Sequence, residues 1–414
     1  MASFEKAKEK LLKTQGMHPY FDEKNKYKGS ALLCSNCFND EGLRIDASKI
    51  GIDNNDKCPK CSSEKGYKLT KELVRELCYR FFVRGTIKKF EYGGCPLIQM
   101  NEQHFNESNI HISPWLKNDV NLIEQAGEIG LFYYGPRFWM MGEVMPLQSI
   151  IHGEEVGQVI SKILNLYPKH ILNKDHPFYR IRVNPTNANE YSQYDSPPIE
   201  YCGTNRFDDK DFPILYGSPD LELCLHECRI KSEDEIYVAK LVPKSELKML
   251  NLAALVTEEG ETEFTSIDLA IHFLFLAENH SYHLCRLIAK EIQKAGFDGI
   301  IYPSYFSYLR TGHIPFDTVL GMSIRKIPQL KDFSQSQSIP NVALFGSPIK
   351  DEKLIVHSIN KVIINSIKYD VTFGPSYYES KVASMPKDQY LEMRVKEYED
   401  AFKNATKSAQ NEKE

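Results

Sequence analysis

The chain has 414 residues, of which 42% are hydrophobic, 11% aromatic and 26% charged. This is an ordinary globular balance that excludes wholesale disorder and fibrous repeats and, at roughly 100 to 200 residues per domain, points to two or three domains. A formal net charge of −5 gives no support to wrapping nucleic acid, and the basic stretch from Lys57 to Lys71 reads as a solvated face.

Met1 to Lys10 alternate charge where a signal peptide would have an apolar core. The longest apolar run, Leu269 to Ala277, is less than half of the ~20 residues a membrane helix needs. A soluble, reduced, cytoplasmic setting without a membrane partner is expected. Residues 4 to 15, within a leading segment 1–28, place Phe4, Ala7, Leu11 and Leu12 on one side of a short helix that Gly16 stops.

Cys34-Ser-Asn-Cys37 and, twenty residues on, Cys58-Pro-Lys-Cys61 are two CxxC knuckles whose spacing suits a hairpin-joined zinc ribbon over 29–68. Four thiolates fill a tetrahedral zinc site and leave no open position, so the metal is expected to be structural. The other six cysteines, Cys78, Cys95, Cys202, Cys224, Cys228 and Cys285, are scattered and read as buried thiols. From Leu69, apolar residues at Leu73, Leu77 and Phe81 recur every fourth position until Gly85, a helix that opens a small, mostly helical domain over 69–160. A further helical stretch from Gly153 to Leu166 leads into the next domain, with the boundary expected between 150 and 170.

Phe178 to Val183 alternates as a strand does, directing Arg180 and Arg182 to one face, where two guanidinium forks match phosphate oxygens. Thr204-Asn-Arg206-Phe-Asp-Asp209 forms a turn, and Phe212 to Ser218 a strand carrying Tyr216. Ser218 reads as the N-cap of a helix with Pro219 at its first position. In that helix Leu221, Cys224, Leu225 and Cys228 face inward, and Glu227, about 110° round, borders the core half-buried while His226 faces elsewhere. A helix from Tyr282 to Ala295, closed by Gly296, precedes a strand that delivers Ser304 at its end. Ser334 to Ser338 reads as a loop, and Pro340 to Phe345 as a strand bearing Asn341. Segments 353–358 and 361–373 read as two strands turning at Asn360, and 385–414 as a charged helical tail, together a C-terminal region 351–414. Neither a GxSxG elbow nor a GxGxxG loop is present.

The order and wording of Phe178-Tyr-Arg-Ile-Arg182, Asn205-Arg-Phe207, Leu215-Tyr216, His226-Glu227, Asp298 to Ser304 and Pro340 to Phe345 resemble the RES domain, with Asn205 and Asp208 standing where that family more often has Gly and Asn. The ribbon followed by Phe81-Phe82 and Phe90 to Gly94 resembles the N-terminal extension of the longer RES proteins. The resemblance implies an α+β, ADP-ribosyltransferase-like catalytic domain with a mixed central sheet over 170–350. It also implies an enzyme for which NAD is a substrate and not a redox cofactor. Arg180, Glu227 and Ser304 are then the catalytic set: Glu227 stabilises an oxocarbenium-like ribose and Ser304 orients the carboxamide or ribose. Arg180, with Arg182 or Arg206, fixes the pyrophosphate, Tyr216 and Tyr179 stack on a ring, and Asn341 contacts substrate.

Phosphate, water and a protein side chain stay open as acceptors, giving a phosphorylase, a glycohydrolase or an ADP-ribosyltransferase. The resemblance further implies a toxin held by a helix-turn-helix antitoxin. The roughly 35 residues between Ser304 and Asn341 are expected as a lid or a homodimer contact. A non-enzymatic alternative is a zinc-ribbon adaptor that binds nucleic acid or protein.

Overall fold

In a computed structural model, residues 29–90, 93–105, 108–110, 112–133, 144–311, 318–319, 322–369 and 371–375 are described; the expected helix at 4–15 and tail at 385–414 lie outside them. The chain divides into two units. One takes in Gly29–Gly85 and Met100–Leu131, the other Thr86–Gln99 and Phe132–Val371.

In the smaller unit, β1 (Leu33–Cys34) pairs antiparallel with β2 (Lys68–Leu69), which sets the first knuckle beside the chain leaving the second. The spacer between the knuckles holds a helix, α1 (Glu41–Ile50), in place of the expected hairpin. The Asp40 carboxylate caps it by accepting from Leu43 N at 3.0 Å, and Leu43, Ala47 and Ile50 bury one face. The helix expected from Leu69 begins instead at Lys71, because Leu69 is committed to β2 and the Thr70 hydroxyl caps Leu73 N. This α2 (Lys71–Cys78) buries Leu73, Val74 and Leu77, and the apolar run continues through a π-helical turn at Tyr79–Val83. From α3 (Lys117–Gly127) the fully buried Asp119 carboxylate accepts from Asn39 N and Asp40 N, both at 2.8 Å, which pins the start of α1.

The larger unit is built on a five-stranded mixed sheet. Its order is β3 (Lys169–Leu172), β7 (Leu247–Asn251), β8 (Gly299–Pro303), β9 (Pro340–Phe345), β5 (Ile214–Gly217); β7 and β8 run parallel and the other neighbours antiparallel. A second, antiparallel sheet has the order β10 (Leu354–Val362), β6 (Ile236–Pro243), β4 (Phe178–Val183). A bridge between Tyr179 and Ser218 links β4 to the end of β5.

Alternation along the strands makes two cores. Leu250, Ile300, Tyr302, Ala343 and Phe345 pack under helices, whereas Met249, Ile301, Val342 and Leu344 pack against Phe178, Ala239 and Leu241 of the second sheet. The helical layer consists of α4 (Met145–His152), α5 (Val156–Leu166), α7 (Ile267–Leu276) and α8 (Tyr282–Lys294). Leu147, Ile150, Val159 and Ile163 thus share the core of the sheet that carries the motifs.

Three local expectations change. Asn360 lies inside β10, paired with Val238, so the two expected strands are one, and residues 363–369 carry no regular structure. Ser334 belongs to a helix, α9 (Lys331–Ser336), held down by Gln335, whose amide accepts from Leu255 N at 2.6 Å and donates to Ala253 O at 3.0 Å. The helix after β5, α6 (Leu221–Glu227), is capped by Asp220, which accepts from Leu223 N at 2.9 Å; Ser218 accepts from Asp220 N instead.

Candidate active site

Strand β4 brings Arg180 in beside β5. Their close approach depends on Gly217, where a Cβ would stand 2.6 Å from the Phe178 ring and 2.7 Å from Tyr179 O. Arg180 is only 6% exposed. Its Nη1 donates to Tyr216 O at 2.7 Å and its Nη2 to Asp195 O at 2.9 Å, while Nε is buried without a partner among the described residues. Arg182 donates to the same Asp195 carbonyl at 2.7 Å and to Gln193 O. Burial, with the neighbouring Arg182 charge, lowers Arg180 to about 9, so it remains a cation at neutral pH. Asp195 is used elsewhere: its carboxylate accepts from Ser196 N at 2.8 Å and Lys350 N at 2.8 Å.

Arg206 is clamped differently. Nη1 donates to Leu274 O at 2.9 Å and Nη2 to Ala277 O at 3.4 Å, and the guanidinium lies 4.9 Å from the Tyr282 ring centre and 5.6 Å from that of Phe275. Its turn is fixed by Asp208, which accepts from Gly203 N at 2.6 Å and Asn205 N at 2.9 Å. Tyr216 spends its hydroxyl there too, accepting from Phe207 N at 2.9 Å.

The carboxylate is positioned by sheet register. Tyr302 of β8 lies opposite Asn341 of β9 and Pro303 opposite Pro340, so Ser304, one residue past β8 with its N–H bonded to Ile339 O at 2.9 Å, falls diagonally beside Asn341. Both are buried, at 4% and 2% exposure. Ser304 Oγ and Asn341 Nδ2 each donate to Glu227 Oε1 at 2.6 Å. These are the short lengths of charge-assisted bonds. Glu227, the last residue of α6, is exposed and not half-buried as expected, because its helix ends at the cavity rim; Oε2 has no partner among the described residues. Asn341 Oδ1 is buried without a partner among the described residues.

These groups line a cavity of about 760 Å³, within the usual ~300 to 1,000 Å³ of small-molecule sites. Arg180, Arg182, Arg206, Tyr216, Glu227 and Asn341 all face it. Two expected residues do not. Tyr179 packs against Ile181 and Cys224 without itself lining the cavity, and Ser304 lies behind Glu227, with its oxygen also accepting from Phe306 N at 3.0 Å. The sequence reading missed Arg229, Glu278 and Tyr282, which line the cavity from loop and helix-end positions without a periodic signal. It also took Cys228 for a buried thiol. Cys228 is exposed and lines the cavity, because α6 has ended before it; Cys78, Cys202, Cys224 and Cys285 are buried, and Cys95 lies outside the described side chains.

A second cluster lies in the smaller unit. The Sγ atoms of Cys34, Cys37, Cys58 and Cys61 all fall within 4.8 Å of one another, with Cys34 to Cys61 and Cys37 to Cys58 at 3.6 Å and Cys34 to Cys37 at 3.9 Å. A tetrahedron with ~2.3 Å metal–sulfur bonds has edges of about 3.8 Å, close to these three separations, so the four thiols could hold a metal ion. Burial and the Cys61 hydrogen bond push Cys34 up to about 11, whereas hydrogen bonds from the Cys61 and Lys60 backbone, acting against burial, bring Cys58 down to about 7. Lys68, fully buried opposite Cys34 in the β1–β2 pair, donates to Asn54 O, Glu64 O and Gly66 O and brings a positive charge into the knuckle.

A helix-backed mixed sheet with an arginine-lined cavity and one clamped carboxylate defines an α/β domain suited to a polyanionic small molecule. Residues 177–313 match the model of the RES domain family, so the chain carries a RES domain there. Arg180, Glu227 and Ser304 fall inside that span and Asn341 beyond it. No curated protein and no solved structure matches the chain. Among the described residues no helix is long and apolar enough to cross a membrane.

Proposed function

We propose that the RES domain cleaves NAD at the bond between nicotinamide and ribose and transfers the ADP-ribosyl group to inorganic phosphate. The observation that carries this reading is Glu227, clamped on one oxygen by Ser304 and Asn341, in a cavity whose arginines have no carboxylate partner among the described residues. A buried cation without a counter-charge favours an anionic ligand, and a dinucleotide's pyrophosphate is one. Nicotinamide departs with the electron pair of the C–N bond and becomes neutral, which leaves positive charge on the ribose. The fixed negative charge of Glu227 stabilises that state, and its free Oε2 can accept from a ribose hydroxyl. Ser304 and Asn341 hold the carboxylate so that it need not reorganise as the bond breaks. Attack by a phosphate oxygen then gives ADP-ribose phosphorylated on the anomeric carbon.

The two-sheet core supports an ADP-ribosyltransferase-like reading of the fold, and the family supports a toxin whose partner is a helix-turn-helix antitoxin. For the four-cysteine cluster we propose structural zinc: Cys34, Cys37, Cys58 and Cys61 would hold it, and it would cross-link β1 to the second knuckle. Every cavity-lining residue falls between Arg180 and Asn341, which supports an N-terminal region without catalytic groups. The test is the product spectrum after incubation with NAD, with and without phosphate. Nicotinamide together with a phosphorylated ADP-ribose is expected. Phosphate-independent ADP-ribose would replace the phosphorylase by a glycohydrolase, and intact NAD would refute the enzymatic reading.

A further inference from the structure

Four arginines line the cavity, but three are anchored to backbone carbonyls. Arg180 donates to Tyr216 O and Asp195 O, Arg182 to Gln193 O and Asp195 O, and Arg206 to Leu274 O and Ala277 O between two aromatic rings. They supply positive potential from fixed positions. Each keeps some of its five N–H groups, but two of its nitrogens are tied to backbone carbonyls, so the guanidinium cannot turn to follow a phosphate without breaking those bonds, which is costly. Arg229 is different. It is exposed, lines the same cavity, and its side chain makes no hydrogen bond, ion pair or ring contact among the described residues, so all five donors of its fork are available.

Its backbone points the same way. Arg229 follows α6 in the left-handed region at φ 48°, its N–H bonded to His226 O at 3.1 Å. Helices that end in this conformation usually place glycine or asparagine there, because a side chain strains it. An arginine at such a position, two residues after the carboxylate that faces the reaction, is a local conflict of the kind that clusters at ligand sites. The segment is also electrostatically joined to β4: the Cys228 thiol between Glu227 and Arg229 feels the charges of Arg180 and Arg182.

We propose that Arg229 is the residue that grips a phosphate group of the bound ligand, the guanidiniums of Arg180, Arg182 and Arg206 acting as a fixed positive lining. The proposal deepens the NAD reading and rests on it for the source of the phosphate, which is either the dinucleotide's pyrophosphate or the inorganic acceptor. In both cases the chemistry is the same: a planar fork on two phosphate oxygens beside the Glu227 carboxylate.

The test compares wild type with Arg229→Gly and Arg229→Lys in titrations with ADP and with inorganic phosphate, alongside KM for NAD and for phosphate. Glycine suits the backbone at this position, so Arg229→Gly should melt no lower than wild type and loss of binding cannot be assigned to unfolding. Losing a bidentate charged contact should weaken binding about tenfold or more. Weaker ADP binding with a raised KM for NAD assigns Arg229 to the pyrophosphate; a raised KM for phosphate with ADP binding intact assigns it to the acceptor. Arg229→Lys should fall between, keeping the charge and losing the fork. Wild-type affinity of Arg229→Gly for both ligands overturns the proposal, as does wild type that binds neither. Wild type that leaves NAD intact but binds ADP in an Arg229-dependent way refutes the NAD reading and leaves this one standing.

Discussion

The four-cysteine knuckle and the arginine-lined cavity treat polar groups in opposite ways. In the knuckle, four sulfurs converge on one another and the buried Lys68 donates hydrogen bonds to three carbonyls, so its polar groups are partnered from within. In the cavity, among the described residues, a carboxylate keeps one oxygen unused, Arg180 Nε and Asn341 Oδ1 are buried without partners, and the Arg229 side chain makes no hydrogen bond, ion pair or ring contact. The difference supports reading the first as a site that holds a fold and the second as one that takes a ligand. Unsatisfied polar groups are expensive in a protein interior, and they persist where a substrate will satisfy them.

The largest expected effect falls on the closed site. Structural zinc binding is worth about 10 to 16 kcal/mol in isolated zinc fingers, so chelation or Cys58→Ser should cost the smaller unit its cooperative thermal transition. Elemental analysis should find one zinc per chain in wild type and none in the variant, with nicotinamide release persisting. Well-folded protein free of metal, or a metal content unchanged by Cys58→Ser, would break the contrast at its first term.

The open site should respond in rate with its stability nearly untouched. Glu227→Gln keeps the shape and removes the charge, and a loss of about 10² to 10³ in kcat is expected, as for other electrostatic stabilisers. Nicotinamide release at the wild-type rate would remove Glu227 from the chemistry. Ser304→Ala should cost less, about tenfold in kcat with KM for NAD little changed, because the hydroxyl acts through Glu227 and lies outside the cavity lining. A raised KM with kcat intact would mean instead that Ser304 touches the substrate.

Much of the site could be read from local pattern, and its wiring could not. Alternation in Phe178 to Val183 correctly placed a strand with Arg180 and Arg182, and Gly296 correctly closed α8, with φ 82°. The helix between the knuckles was missed because a spacer length does not distinguish a hairpin from a capped helix; the Asp40 side chain decides it. The strand pattern that sets Arg180 and Arg182 on one face says nothing of the loop at 193–195, whose carbonyls return to accept hydrogen bonds from both.

What the sequence alone determined is therefore chemical and local: four thiols at CxxC spacing, strands and helices by period, and the order of the RES motifs. These depend on neighbours within a few residues, which the chain states directly. The tertiary structure decided which groups are spent and which are free. Glu227 meets Ser304 across 77 residues and Asn341 across 114 only because β8 and β9 pair in one register and α6 ends at the same edge. A shift of one residue in that pairing would turn Asn341 to the opposite face of the sheet, so the clamp is a property of the register, which no single segment encodes.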